Sequence, residues 1–115
     1  EKNRCNTGES GIKTTTPVGS YPASDARRSG ASPYRAEDMA GSVWEWTSSL
    51  YKPYPYIEND GREPQGSTVN RLLRGGSWGD SARDARAACR SNNRPDDRGS
   101  SIGFRLVLLS AAAGS

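Results

Sequence analysis

The chain contains no histidine. That excludes Ser-His-Asp and Cys-His catalysis, His-ligated zinc, and the non-haem iron sites that need imidazole. It holds two cysteines, Cys5 and Cys89, too few for a zinc knuckle. They suffice for one disulfide or for two thiols, and thiols are favoured because nothing marks secretion. Aliphatic side chains are scarce: six Leu, three Ile and four Val, with a single Phe. No stretch approaches the length of a transmembrane helix, and no signal peptide opens the chain. The chain starts at Glu1 without Met, as a fragment would. There is no basic run: 13 Arg and 3 Lys are interleaved with acids, so no nucleic-acid module is expected. Nothing in the sequence assigns a compartment.

What is present compensates in part. Three Trp and five Tyr bring bulk that the aliphatics do not. The net charge of +3 is too small to force disorder. With 13 Gly and 7 Pro, one loop-rich domain with a thin core is expected over 1–109, and a disordered tail over 110–115.

The segment from Arg74 to Val107 carries seven Arg and four Asp, which accounts for the whole net charge. It opens on Gly75-Gly76 and Trp78 and closes on the apolar run Ile102 to Leu109. Between them almost everything is small, polar or charged. Such a segment cannot bury itself and is expected to be a surface held at its two ends.

Val43 to Thr47 alternates as a strand does. Trp44 and Trp46 fall on one face, with Val43, Glu45 and Thr47 on the other. Val69 to Arg74 reads as a second strand. Arg86 to Arg90 is ambiguous between helix and short strand. Ile102 to Leu109 reads as the best strand and a central one. Tyr51, Tyr54 and Tyr56 alternate with prolines in a stiff flap, suited to lining a groove or to packing over the core. Asp38 and Glu45 flank a glycine turn at Gly41. Hard oxygens gathered at such a turn suit calcium, although a turn acid and a solvated strand acid would give the same spacing. Gly75 to Gly79, GGSWG, matches the G-x-S-x-G nucleophile elbow. Without a histidine base, Ser77 is read as structural.

Together DMAGSVWEW (38–46), LLRGGSW (72–78), IGFRLV (102–107) and TTPVGSYP (15–22) resemble the C-terminal half of the formylglycine-generating enzyme, or sulfatase-modifying factor, domain. The resemblance implies an α+β, loop-rich, C-type-lectin-like fold with small twisted antiparallel sheets. The absent N-terminal half is then expected as a partner in the same core. The family enzyme oxidises a sulfatase cysteine using copper held by two thiolates shortly after the GGS turn. Counting from Ser77 puts Asp80 and Ala85 at those places, so no copper is expected. The pattern weighs against an enzyme, and a divergent formylglycine-generating oxidase is the alternative. The resemblance also implies a calcium site at Asp38, Gly41, Val43 and Glu45.

Noncatalytic relatives of this fold include the variable proteins of diversity-generating retroelements. In them, the segment between motifs like RGGSW and IGFR is rewritten at adenines. The resemblance then implies a displayed surface over 78–101 that contacts a protein or glycan ligand. Its residues would be Trp78, Gly79, Asp80, Ser81, Arg83, Asp84, Ser91, Asn92, Asn93, Arg94, Asp97, Gly99, Ser100 and Ser101. Trp44, Trp46, Trp78 and Phe104 would pin the scaffold.

Overall fold

The computed structural model describes residues 4–25, 29–64, 66 and 68–110. The tail residues 111–115 lie outside the described residues, as do residues 1–3 of the opening loop. Regular structure is sparse. A 3-10 turn spans Gly8–Ser10, and four strands follow: β1 Trp44–Leu50, β2 Arg71–Arg74, β3 Ser91–Asn93 and β4 Ile102–Gly103. They form one sheet in the order β3-β2-β1-β4. No α-helix occurs among the described residues.

β1 forms where aromatic and polar side chains alternate, the pattern that suits a pleated, half-buried surface. It runs to Leu50, three residues past the expected end at Thr47. There the Leu50 amide donates to the Arg62 carbonyl at 2.6 Å. β1 and β2 are antiparallel, with Glu45 opposite Arg74 and Trp46 opposite Leu73, and the register slips before Leu50 meets Arg71. β2 and β3 are also antiparallel, with Leu73 opposite Ser91 and Arg71 opposite Asn93. The last pairing is parallel: Trp44 lies beside Ile102 and Glu45 beside Gly103. The sheet is therefore mixed.

The core is thin, as the composition predicts. Among the described residues only Tyr21, Leu50 and Leu73 are buried apolar side chains, Leu73 the most completely at 2% exposure.

Two expectations fail. Arg86 to Arg90 is neither helix nor strand but a run of turns, and the strand begins one residue later, at Ser91. The apolar run that starts at Ile102 is not a central strand either: β4 covers only Ile102–Gly103 and sits at the sheet edge. Beyond it Phe104 is 72% exposed and Leu108 95%. An apolar run carries the same pattern whether or not an element covers it, and these residues have no cover among the described ones. Phe104 therefore does not pin the scaffold.

Gly41 and Gly76 are two of the places where the backbone admits only glycine. Gly41 has φ +74°, and a Cβ there would lie 2.3 Å from the Asn6 carbonyl oxygen. Gly76 has φ +72°, and a Cβ would meet the Ala85 backbone nitrogen at 2.9 Å. Both are close crossings of backbone on backbone, which no side chain permits.

Candidate functional site

The pleat of β1 sends its side chains to two faces, and each face carries a separate cluster.

The tryptophan face bears a cleft of about 390 Å³. Trp44, Leu73, Trp78, Asp80, Ser91, Asn93, Ser100 and Ser101 are among its lining residues. The sheet register explains the set. Ser91 lies beside Leu73, and Asn93 follows Ser91 by two residues, so both point to the face that Leu73 occupies. Asn92 points the other way, where its side-chain oxygen accepts from Asn70 Nδ2 at 2.6 Å.

Asp80 holds this cleft together. Trp44 Nε1 donates to Asp80 Oδ2 at 2.8 Å. The Ser77 hydroxyl donates to the same oxygen. Ser77 is 1% exposed, and its Oγ accepts from the Gly79 amide at 3.2 Å, which gives it a structural place in the turn. The Trp78 indole donates to the Ser100 carbonyl at 3.2 Å, tying the two ends of the displayed segment to each other. The base of the segment is fastened to the 3-10 turn. Gly8 donates to the Asp80 carbonyl at 2.6 Å, and both Glu9 carboxylate oxygens accept from the Ala82 amide at 2.9 Å. These bonds hold the Glu9 carboxyl below its ordinary pKa, the Ala82 amide contributing most and the Thr7 hydroxyl next.

The other expected ligand residues divide into two groups. Ser81, Arg83 and Asp84 form a tight turn in which the Ser81 hydroxyl donates to Asp84 Oδ2 at 2.8 Å. Asp97 and Gly99 line a second groove with Trp46, Pro95 and Arg98. In the turn before it the Arg94 amide donates to Asp97 Oδ2 at 3.1 Å. Gly79, Ser81, Arg83, Arg94, Asp97, Gly99 and Ser100 are exposed. Trp78, Asp80, Asp84, Ser91, Asn92, Asn93 and Ser101 are half-buried, and the Asp80 carboxylate turns inward.

Arginines anchor the middle of the segment. Arg74 donates to the carbonyls of Ala87 and Cys89. The Arg90 guanidinium lies 4.7 Å from the Tyr51 ring and 4.2 Å from that of Tyr54. Arg62, 4% exposed, stacks on Tyr56 and pairs with Asp60 at 2.7 Å. The tyrosine flap thus works as a set of cation-π seats rather than as a lid over the core. Cys5 and Cys89 are both free thiols, and burial pushes Cys5 up from its ordinary pKa.

The opposite face bears a larger cavity, about 530 Å³, whose lining includes Asp38, Gly41, Val43, Glu45 and Arg105. All four expected calcium residues are therefore neighbours. Their donors are hard oxygens, which suits calcium in kind. The fit fails at Glu45. Arg105 Nε donates to Glu45 Oε2 at 2.6 Å, and Nη2 donates to Oε1, so both carboxylate oxygens are engaged. The same guanidinium donates to the carbonyls of Asp38 at 2.8 Å and Glu37 at 3.1 Å. The Asp38 carboxyl is raised above its ordinary pKa, by burial first and by the Glu37 charge second.

Residues 1–109 match the sulfatase-modifying factor enzyme 1-like domain. The chain belongs to that family. It is 43% identical over 98 residues to the serine/threonine-protein kinase pkn1 of Chlamydia caviae, covering 81% of this chain and 14% of the relative. It is 39% identical over 107 residues to the formylglycine-generating enzyme of Streptomyces coelicolor, covering 89% of this chain and 32% of the relative. Among solved structures it resembles Treponema denticola variable protein 1, with TM-score 0.66 and 28% identity over 90% of this chain and 35% of that one. The chain thus spans about a third or less of each relative's length. The small curled sheet and near absence of helix are the C-type-lectin-like fold of these sulfatase-modifying factor relatives.

Two members of the site have no place in the sequence reading. Glu9 lies 73 residues from Ala82, and no local pattern links them. Arg105 carries a usable signal. Glu37, Asp38 and Glu45 form an acid cluster that needs a counter-charge, and Arg105 closes the IGFR motif beside them.

Proposed function

We propose that this sulfatase-modifying-factor-like domain is a noncatalytic binding module that displays the 78–101 surface to a protein or glycan ligand. The observation that carries the reading is the tryptophan-face cleft. Trp44, Ser77 and Asp80 fix its floor through hydrogen bonds among themselves. Ser91, Asn93, Ser100 and Ser101 line it with small polar groups. A rigid aromatic base with adaptable polar groups above it is the chemistry of a paratope. The fold similarity to a variable protein points the same way. In the retroelement reading, the exposed positions of 78–101 are those rewritten between family members. The rest of a full-length family domain is proposed to pack against the exposed run from Phe104 to Leu109.

Relatives named as formylglycine-generating enzymes keep an oxidase reading in play. Against it, Cys89 is the sole cysteine after Gly75, and one thiol cannot form a soft two-sulfur site for Cu(I). Incubating the full-length protein with copper and a sulfatase-motif peptide decides between the readings. The binding module leaves the peptide cysteine unchanged by mass spectrometry. Aldehyde formed over many turnovers contradicts it.

A further inference from the structure

We infer that Arg105 is the resident cation of the Asp38–Glu45 turn, and that it competes with calcium for the Glu45 carboxylate. The geometry is that of a filled site. A planar guanidinium matches a carboxylate through two parallel N–H bonds, the strongest ion-pair arrangement available to a side chain. Arg105 makes that fork with Glu45 and then directs its remaining donors to the Asp38 and Glu37 carbonyls. One side chain therefore gathers a strand acid and two turn carbonyls, which is the work a calcium ion does with the same kinds of oxygen. Glu45 is largely shielded, with its side chain 17% exposed, so an unpaired carboxylate there is costly.

The two cations exclude each other by charge and by space. Calcium takes carboxylate oxygens at about 2.3–2.6 Å, and both Glu45 oxygens already face guanidinium protons. Arg105 is also tethered. It follows β4 by two residues, and β4 is held beside β1. A tethered group acts at an effective concentration of about millimolar, which a free ion must overcome. Release of Arg105 would free the start of the exposed run after β4.

The test compares melting of the full-length wild type, Arg105→Gln, and the double variant Arg105→Gln, Glu45→Gln, each with excess calcium and with chelator. A ligand that binds only the folded state raises the melting temperature by mass action. Competition requires a larger calcium shift in Arg105→Gln than in wild type, with the gain absent from the double variant. Half-saturation should fall by about tenfold or more once the tethered cation is gone. Shifts that are equal in wild type and Arg105→Gln, or absent from both, overturn the inference. Should Arg105→Gln fail to fold, terbium luminescence sensitised through Trp44 and Trp46 gives the answer on wild type and Glu45→Gln. Competition requires wild-type emission that saturates only at about millimolar terbium and is lost in Glu45→Gln, and emission absent from both overturns it. Saturable micromolar emission that Glu45→Gln abolishes overturns it.

Discussion

Trp44 and Asp80 stand 36 residues apart in sequence and are joined by a 2.8 Å hydrogen bond from indole to carboxylate. The bond links β1 to the first turn of the displayed segment. It also gives Asp80 a scaffold role, although the residue sits among those expected to face a ligand.

Asp80→Ala should therefore destabilise the domain by about 1–3 kcal/mol, the cost of leaving a shielded indole N–H and a buried hydroxyl unpaired. Chemical denaturation followed by tryptophan fluorescence measures it. Ser100→Ala, at an exposed position, should change stability by less than about 0.5 kcal/mol.

The glycines offer a sharper contrast. Gly41→Ala forces a side chain against the Asn6 carbonyl at a left-handed φ. Backbone strain alone costs about 1–3 kcal/mol there, before the clash is counted. Gly99→Ala meets only the tip of Ile102, at 3.9 Å, with no positive φ. Its melting temperature should match the wild type, whereas Gly41→Ala should melt far lower or fail to accumulate as folded protein.

Acid should loosen the base of the displayed segment. Glu9 titrates below its ordinary 4.5 because the Ala82 amide and the Thr7 hydroxyl favour its charged form. Its unfolded form binds the proton more readily, so its contribution is complete above pH 4.5 and lost as pH falls through the folded value. Glu63, lowered mainly by the Ser49 hydroxyl, and Asp60, lowered mainly by Arg62, have the same sign. Asp38 is raised and has the opposite sign: its penalty grows as pH rises from 3.8. A stability-pH profile of Glu9→Gln should rise less steeply between the acid limb and neutrality than that of wild type. Identical profiles would remove Glu9 from this role.

β1 is legible in the sequence because alternation over Trp44, Glu45 and Trp46 has a single structural meaning, and the two-faced arrangement of the site follows from it. Period two also separates Asn93 from Asn92 once the strand is known, but three residues of Ser and Asn carry no strand signal of their own. The run after Ile102 misleads for the converse reason. Its apolar character is plain, yet a strand needs a partner and a covering layer, and neither is encoded in the run itself. Contacts such as Glu9 with Ala82 and Arg105 with Glu45 join distant points of the chain, and local pattern cannot disclose them. Asp80 is equally opaque, because an aspartate in a polar loop looks the same whether its carboxylate faces solvent or an indole.

The retroelement reading makes a prediction in DNA. A near-copy of the sequence encoding Trp78 to Phe104 should lie beside a reverse-transcriptase gene. Adenines in that copy should mark the differing bases, concentrated at the codons for 79–81, 84, 91 and 97–101, with codon 80 the one of these that the Trp44 bond should hold constant. The codons for Gly75, Gly76, Gly103 and Phe104 should match between the two. A copy whose differences fall equally on all bases would contradict this origin.

A binding module of the proposed kind needs a cleft surface that is displayed rather than structural, and one library tests this most directly. Ser91, Asn93, Ser100 and Ser101 are randomised together in the full-length protein, with the Trp44, Ser77 and Asp80 floor left intact. Each member is scored for protease resistance and then for binding to panels of proteins and glycans. Most members are predicted to remain as resistant as the parent, and selection is predicted to recover binders of new specificity. Loss of protease resistance in most members would show that these side chains support the fold, and would contradict the binding-module reading.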